Sequence, residues 1–248
     1  MCEKCGCGSG NRTPRPAPSI PHHHGQVAGS EDLTPRARLA DNDRHAEWNR
    51  GFARARRCFV LNLLSFGSSR AAELAARAQA AFGPALATEV LDAGRLQFLG
   101  AVHGHAPGPA EGPVPADFAL PAIDAHMIGH ALDLLDLDGK RVLLIVNGGS
   151  AACQAAYDLG ENARAVVFSV REGEKKPLKA PLVFRGAGLV LINDSEAAGI
   201  CGFDRAAALA NIREVAPAAT VIEVSAATGA GLSEWRAWLQ QRILNTEH

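Results

Sequence analysis

The chain has no run of eighteen apolar residues, and its first residues lack the basic, apolar and small-residue pattern of a secretory signal. Its 25 basic and 26 acidic residues nearly cancel, so no charge excess favours nucleic acid or an anionic membrane surface. Of the six cysteines, Cys58, Cys153 and Cys201 stand singly in apolar surroundings, and the set does not form the pattern of a disulfide framework in a chain of 248 residues. We therefore expect a cytoplasmic protein with no membrane segment and no nucleic-acid partner.

A stretch of biased composition divides the chain. Residues 8–37 are rich in Gly, Pro, Ser and Arg and show no sustained apolar periodicity, which is typical of a linker. The whole chain is 47% hydrophobic, enough for one sizeable core beside such an extension. We predict a flexible Cys/His metal-binding tail and linker over residues 1–40 and one α/β domain over residues 41–248.

Three cysteines, Cys2, Cys5 and Cys7, stand within the first seven residues. A Cys-x-x-Cys spacing brings two sulfurs to one ion, and Gly6 lets the backbone fold back so that the third thiol and the terminal amine can join. Three thiolates do not complete a four-coordinate zinc site, whereas sulfur with nitrogen in a flat arrangement suits nickel(II) or copper(II). A redox pair and cysteines without a function are the alternatives, but a redox Cys-x-x-Cys normally opens a helix after a strand.

The linker carries three consecutive histidines, His22, His23 and His24. Imidazoles bind nickel and zinc, so this run predicts a secondary collector of either ion. An expression tag is the alternative, although tags are usually longer and stand at a chain end.

Short apolar runs alternate with helical stretches from residue 41 onward. The predicted strands are 58–64, 141–146, 165–170, 188–192 and 220–224, and the predicted helices are 41–57, 70–81, 122–135, 205–215 and 232–244. This alternation predicts a doubly wound, mainly parallel α/β sheet covered on both faces. Ligands of such sheets bind at the carboxyl ends of the strands.

The loop after the first predicted strand has the outline of a phosphate-binding loop, whose standard form is Gly-x-x-x-x-Gly-Lys followed by Ser or Thr. This chain has Ser-Phe-Gly-Ser-Ser-Arg-Ala at residues 65–71, with one glycine, Gly67, and with Ser68 and Ser69. Arg70 stands where the lysine is expected and Ala71 where the magnesium-binding hydroxyl is expected, and no lysine occurs between Lys4 and Lys140. Backbone amides at the helix start could still hold an anion, but we predict absent or very weak hydrolysis.

Several separated motifs resemble one family. They are the opening Met-Cys-Glu-Lys-Cys-Gly-Cys-Gly, Asn-Arg at 49–50, Tyr-Asp-Leu-Gly-Glu at 157–161, Ser-Val-Arg-Glu-Gly-Glu-Lys-Lys-Pro at 169–177 and Ser-Ala-Ala-Thr-Gly at 225–229. On these the chain resembles the hydrogenase nickel-incorporation GTPases of the HypB type over nearly its whole length. The resemblance implies a P-loop GTPase domain of the SIMIBI-like type, GTP binding, and nickel at the N-terminal cysteines. It also implies delivery of nickel to a hydrogenase large-subunit precursor with a partner metallochaperone.

The chain departs from the family at the guanine and magnesium positions. The family's Asn-Lys-x-Asp signature appears as Asn193, Asp194, Ser195 and Glu196, so the lysine is gone and the carboxylate is one methylene longer. Ser225 and Ala226 keep the last guanine loop, while a valine replaces an acidic residue after the strand that ends at Val146. We predict a degenerate nucleotide site and assign no catalytic residue; its members are Gly67, Ser68, Ser69, Arg70, Asn193, Glu196, Ser225 and Ala226.

The family's second metal site, an adjacent Cys-His pair with a later cysteine, is also altered. The pair falls on Pro121 and Ala122, and Cys153 matches the later cysteine. His126 and His130 lie four residues apart on a predicted helix and would share a face. They are candidates for a relocated site with Cys153; the alternative is two locally bonded histidines and a small buried thiol.

Two functions from different classes fit these features. The first is a nickel-binding accessory protein for nickel–iron hydrogenase maturation, on a GTPase-family fold whose nucleotide site is degraded. The alternative is an active nickel-regulated GTPase of the same pathway, and a decayed paralogue without a role is a third. Nickel or zinc is the expected metal, GTP with magnesium is less supported, and a homodimer stays open because the altered loops put the family's nucleotide-driven dimer in question.

Overall fold

A computed structural model describes residues 35–93, 123–148 and 155–246. Six strands form the sheet: β1 Phe59–Ser65, β2 Thr88–Asp92, β3 Val142–Gly148, β4 Ala163–Ser169, β5 Leu189–Asn193 and β6 Thr220–Glu223. The helices are α1 Pro35–Ala55, α2 Ala71–Phe82, α3 Ala125–Leu134, α4 Lys176–Lys179, α5 Pro181–Phe184, α6 Ala198–Cys201, α7 Arg205–Val215 and α8 Leu232–Thr246. Three short 3₁₀ helices lie at Pro84–Leu86, Val170–Glu172 and Ser195–Ala197. This alternation confirms the predicted α/β class.

All six strands pair in parallel, in the order β2-β3-β1-β4-β5-β6. Strand β1 lies between β3 and β4, with Phe59 opposite Val142 and Leu61 opposite Ala163. The chain first runs outward to β2, returns through β3, and then crosses to the other side of β1. Strand order therefore reverses beside β1, and the crevice at its carboxyl end is where ligands of such sheets bind.

Apolar side chains cover both faces of the sheet, because crossover helices pack on each side. Leu61 and Leu63 point to the face covered by α2 and α8, where Phe82 meets Trp235 edge to face at 5.4 Å between ring centroids. On the opposite face, Val60 packs among residues of α1 and α3, and Leu64 packs among residues of α5 and α7. All seven residues of β1 are buried, which explains its mainly apolar sequence.

Two of the motifs that resemble the family dock helix α1 onto the sheet. The Asn49 amide nitrogen donates to the carbonyl oxygens of Ala125 and Leu159, at 2.8 and 2.9 Å. The Arg50 guanidinium bonds both carboxylate oxygens of Asp158 at 3.1 Å. The Asn-Arg motif and the Tyr-Asp-Leu-Gly-Glu motif are thus two halves of one contact.

The glycine of the second motif is required by this contact. Gly160 has φ +89°, and a Cβ placed there would lie 2.6 Å from the Ala46 carbonyl oxygen. Burial alone would raise the pKa of the neighbouring Asp158 carboxyl. Hydrogen bonds from Arg50 and from the Gly160 amide outweigh burial, so the pKa of Asp158 lies below its usual range. The carboxylate form therefore holds α1 in place.

The structure differs from the predicted elements at one long helix and one strand, and it adds the short helices α4, α5 and α6. Helix α1 begins at Pro35, whereas the predicted helix begins at residue 41, and strand β2 was not predicted. Strand β2 is an edge strand of five residues with two acidic side chains, so it lacks the apolar run used to find strands. The division of the chain at residue 40 stays a prediction. Within the three described segments, no helix is both long and apolar enough to cross a bilayer.

Candidate functional site

The loop between β1 and α2 is a tight turn in the structure. The Ser69 amide donates to the Phe66 carbonyl oxygen at 2.9 Å, which closes the turn. Gly67 and Ser68 are exposed, and a Cβ at Gly67 would meet nothing within 4 Å. A phosphate cradle needs several amides pointing at the ligand. Here one of those amides is already bonded within the turn, and the glycine faces open solvent.

Arg70 stands at the start of α2 in a left-handed conformation, with φ 54° and ψ 35°. Its Nε donates to Glu73 Oε2 at 2.8 Å, and its Nη1 donates to Asp194 Oδ1 at 3.1 Å. The hydrogen bonds with Glu73 raise the pKa of Arg70, and the negative charges of both carboxylates add to the effect. The cation at the lysine position is therefore committed to two acidic side chains of the same chain.

Asp194 is the second centre of this network, and it is fully buried. Its Oδ2 accepts a hydrogen bond from the Ser169 hydroxyl at 2.6 Å and lies 3.9 Å from the Nε of Arg171. Ser169 ends β4, and the same serine caps the 3₁₀ helix Val170–Glu172. Asp194 directly follows β5, and its side chain thus links the end of β4 to the start of α2.

Asn193 makes a second tie across the same edge. Its amide nitrogen donates to the Ser69 carbonyl oxygen at 2.9 Å, and its amide oxygen accepts from the Ala226 amide at 3.0 Å. A hydrogen bond from the Ser225 hydroxyl lowers the pKa of the Glu196 carboxyl, and the positive charges of Arg70 and Arg171 lower it further. Every hydrogen-bonding atom of the Asn193 side chain is therefore used within the protein.

Charged side chains of both signs meet at this edge. Three carboxylates, Glu73, Asp194 and Glu196, share it with Arg70 and Arg171. Phosphate oxygens need unpaired cations or amides, and Arg70 is already paired with Glu73 and Asp194. These residues do not fit a nucleoside triphosphate with its magnesium.

Among the described residues, the positions where magnesium ligands are expected also lack suitable side chains. Ala71 has no hydroxyl, and Val146 has no carboxylate. The Ser69 hydroxyl and the Asn147 amide are buried and have no hydrogen-bond partner within the described segments. A hydroxyl and an amide lack the carboxylate charge by which magnesium sites are usually built. No group of three His, Cys, Asp or Glu side chains in these segments is arranged to hold a metal ion.

The metal-ligand candidates are divided between described and undescribed residues. His126 and His130 lie on one face of α3, with their Nε2 atoms 3.0 Å apart. The remaining candidates, Cys2, Cys5, Cys7, His22, His23, His24 and Cys153, lie outside the described residues. Their roles stay predictions.

Comparisons with known proteins agree on one family, although no protein-family model matches the chain. The chain is 39% identical to the hydrogenase maturation factor HypB of Azotobacter vinelandii over 209 residues, covering 82% of this chain and 67% of that protein. It is 35% identical to HypB of Escherichia coli K12 over 202 residues, covering 82% and 69%. The chain belongs to the HypB family of hydrogenase maturation factors.

Solved structures agree with the fold of the HypB family. The HypB structure from Archaeoglobus fulgidus matches with a TM-score of 0.66 and 31% identity, over 82% of this chain and 98% of that one. HypB from Helicobacter pylori in complex with nickel matches with a TM-score of 0.67 at 23% identity, over 83% and 96%, and this likeness concerns the fold alone. The resemblance and the fold class predicted from the sequence are confirmed.

Sequence reasoning found most members of the edge within this HypB-family fold and missed its centre. The structure brings together Arg70, Asn193, Glu196, Ser225 and Ala226, as the carboxyl ends of parallel strands require. The sequence alone did not indicate that Ser169, Glu73 and Asp194 complete the network. One signal was present: an acidic residue, Asp194, stands where the family has lysine, and Arg70 replaces the other lysine.

Proposed function

We propose that this HypB-family protein carries nickel for nickel–iron hydrogenase maturation and that its α/β domain acts as a scaffold instead of a GTPase. Family membership supports the maturation role, and three closely spaced thiols support the metal. Nickel is the cargo, bound by Cys2, Cys5 and Cys7, with His22, His23 and His24 as secondary ligands. Zinc competes for the same donors.

One observation carries the proposal that nucleotide turnover has been lost. Arg70 and Asp194 stand at the two positions where the family has lysines, and their side chains form an ion pair. Removing one preorganised hydrogen-bond donor to the transition state typically costs about 100- to 1,000-fold in rate. Here the lysine of the phosphate loop and the magnesium ligands are absent together, so we expect no measurable hydrolysis.

The proposed setting follows from the family. The partners are a metallochaperone that loads or receives nickel and the precursor of a hydrogenase large subunit, and the compartment is the cytoplasm. A homodimer would have to form without the nucleotide contacts that the edge has lost.

An active nickel-regulated GTPase is the second candidate, and Asn193 favours it. Its side chain still links the turn after β1 to the loop after β6, so the frame of a guanine site persists. Nickel-stimulated GTP hydrolysis that an Arg70→Ala substitution abolishes would establish this alternative.

The deciding experiment titrates a fluorescent GTP analogue into the full chain, with and without magnesium and nickel. We expect no saturable signal under any condition. In parallel, equilibrium dialysis should give one tightly bound nickel ion per chain, lost when Cys2, Cys5 and Cys7 are replaced by serine. Cys201→Ser, at an exposed thiol of the α/β domain, is the matched control and should leave nickel binding unchanged. An unchanged nickel count in the triple variant would contradict the carrier role of the cysteines.

A further inference from the structure

The turn after β1 is contacted at both ends by one short segment of the chain. We name residues 66–70 the β1–α2 turn and residues 169–176 the strap, which runs from the last residue of β4 to the first residue of α4. At the first end of the turn, the Nζ atom of Lys176 lies over the Phe66 ring, 3.7 Å from its centroid. An ammonium group at this distance is attracted to the face of the ring. The strap therefore holds the start of the turn.

Lys176 is itself held in position by a carboxylate. Its Nζ atom lies 3.1 Å from Oε1 of Glu172, whose side chain is 8% exposed. The other carboxylate oxygen of Glu172 accepts a hydrogen bond from the Ser169 amide at 2.9 Å, which is part of a capping box. Because one partner is nearly buried, solvent screens this ion pair less than it screens a pair on the surface. The ammonium group is thus fixed over the ring.

The strap reaches the other end of the turn through its first residue. The Ser169 hydroxyl donates to Oδ2 of Asp194, and Oδ1 of the same carboxylate accepts from Arg70. A path of contacts therefore leaves the turn at Arg70, passes through Asp194 and the strap, and returns to the turn at Phe66. Every contact in this path is made by groups of the protein itself.

We propose that the strap keeps the β1–α2 turn closed when no nucleotide is bound. In the closed turn, the Ser69 amide is bonded to the Phe66 carbonyl oxygen. The proposal rests on the proposed function, in which the domain is a scaffold and the conformation of its turn does not depend on nucleotide. The two ends of the turn are set instead by Lys176 and Asp194.

The amide hydrogen of Ser69 reports whether the turn is closed. This amide donates to the Phe66 carbonyl oxygen at 2.9 Å, and Ser69 is fully buried. Its hydrogen exchanges with solvent when that bond opens, so the exchange rate follows the fraction of open turn. Lys176→Met removes the ammonium group and keeps an unbranched apolar side chain. Because a cation–π contact of this kind shifts such an equilibrium about 2- to 30-fold, we expect the Ser69 amide to exchange faster by that factor.

Lys175→Met is the matched control. Lys175 is the neighbouring lysine, it is exposed, and it makes no ion pair or ring contact within the described segments, so its loss should leave the Ser69 rate unchanged. The rates are measured by NMR on the full chain labelled with nitrogen-15. The amide of Leu63, in the buried strand β1, is the internal reference for global unfolding and should change much less than that of Ser69.

A second variant separates the ring contact from the ion pair. Phe66→Leu removes the ring and leaves Lys176 beside Glu172, so it should also speed the exchange of the Ser69 amide. The double variant of Phe66→Leu and Lys176→Met should show less than the product of the two single factors, since each change alone already removes the shared contact.

Four results would overturn the strap. They are an unchanged Ser69 rate in Lys176→Met, an equal increase in Lys175→Met, an increase of the Leu63 rate by the same factor, and a double variant that equals the product of the single factors. All these rates are measured without nucleotide or metal. Failure of the strap is therefore distinguishable from failure of the scaffold role, which the titration with the GTP analogue tests.

Discussion

Replacing Asp194 by asparagine should destabilise the protein although the side chain keeps its shape. The carboxylate is fully buried and accepts hydrogen bonds from the Ser169 hydroxyl at 2.6 Å and from Arg70 at 3.1 Å. In the variant, the amide oxygen can face the arginine while the amide nitrogen donates to the serine oxygen. Both pairs of side chains stay in contact, but the negative charge is lost and the hydrogen of the Ser169 hydroxyl loses its acceptor.

The expected magnitude follows from that charge. A hydrogen bond to a charged group contributes about 1.5–3 kcal/mol, against about 0.5–1.5 kcal/mol for a neutral one. For the contact between Ser169 and residue 194 the difference is about 1 kcal/mol, so we expect Asp194→Asn to cost about 1–2 kcal/mol. Asp194→Ala should cost about 2–4 kcal/mol, because it removes the contacts with both Ser169 and Arg70 and leaves the buried serine hydroxyl with no partner at residue 194.

Urea unfolding at pH 7 measures both changes, with the fluorescence of the buried Trp235 as the probe. The matched control is Asp138→Asn. Its carboxylate also lies near an arginine, Arg56, at 4.0 Å, but its side chain is 90% exposed, so the change should stay within about 0.5 kcal/mol. Burying a charge is itself costly, and the opposite outcome is therefore physically conceivable. If Asp194→Asn is as stable as the natural protein or more stable, desolvation outweighs the network and our reasoning is wrong.

Three further predictions concern packing, pH and thiol reactivity. Gly160→Ala should lower the free energy of unfolding by about 2–6 kcal/mol, because backbone strain and steric clash act together. Gly173→Ala, at φ +81° with open space around it, should show the strain alone. Equal losses of stability in thermal unfolding would argue against the clash. The depressed pKa of Asp158 means that its contribution is complete above the unfolded pKa and is lost as the pH falls through the folded one. The stability deficit of Asp158→Asn should therefore shrink between about pH 5 and pH 2, and a constant deficit would refute this. Burial raises the pKa of Cys58 to about 12, so iodoacetamide at pH 8 should label the exposed Cys201 and leave Cys58 unmodified in the folded protein, as mass spectrometry of peptides would show.

The sheet could largely be predicted from the sequence because its strands are buried on both faces. Mainly apolar runs mark the four inner strands, and the edge strand β6 was found from its short apolar stretch. Strand β2 was missed because its position at the edge permits Glu89 and Asp92 in a five-residue strand. A parallel topology then implies that the loops after β1, β5 and β6 lie at the same edge, as the strand pairing shows. These inferences depend only on local pattern and on general rules of connection.

The pairing of Arg70 with Asp194 could not be predicted in the same way. The two residues are 124 positions apart, and each alone reads as the loss of a lysine. Only the packed loops show that Arg70 and Asp194, which stand where the family has two lysines, lie side by side as an ion pair. The chemistry of the edge therefore depends on a long-range contact, which hydrophobic periodicity does not report.

The central position of β1 has a consequence for how the chain folds. Its partners come late: Phe59 pairs with Val142, 83 residues on, and Leu61 pairs with Ala163, 102 residues on. At a synthesis rate of about 5–20 residues per second, roughly 4–17 s separate the completion of β1 from that of β3. During that time the mainly apolar strand β1 has neither of its partner strands, and closing such long loops slows its pairing. The same strand that organises the finished sheet is thus an apolar segment left without partner strands while the protein is being made.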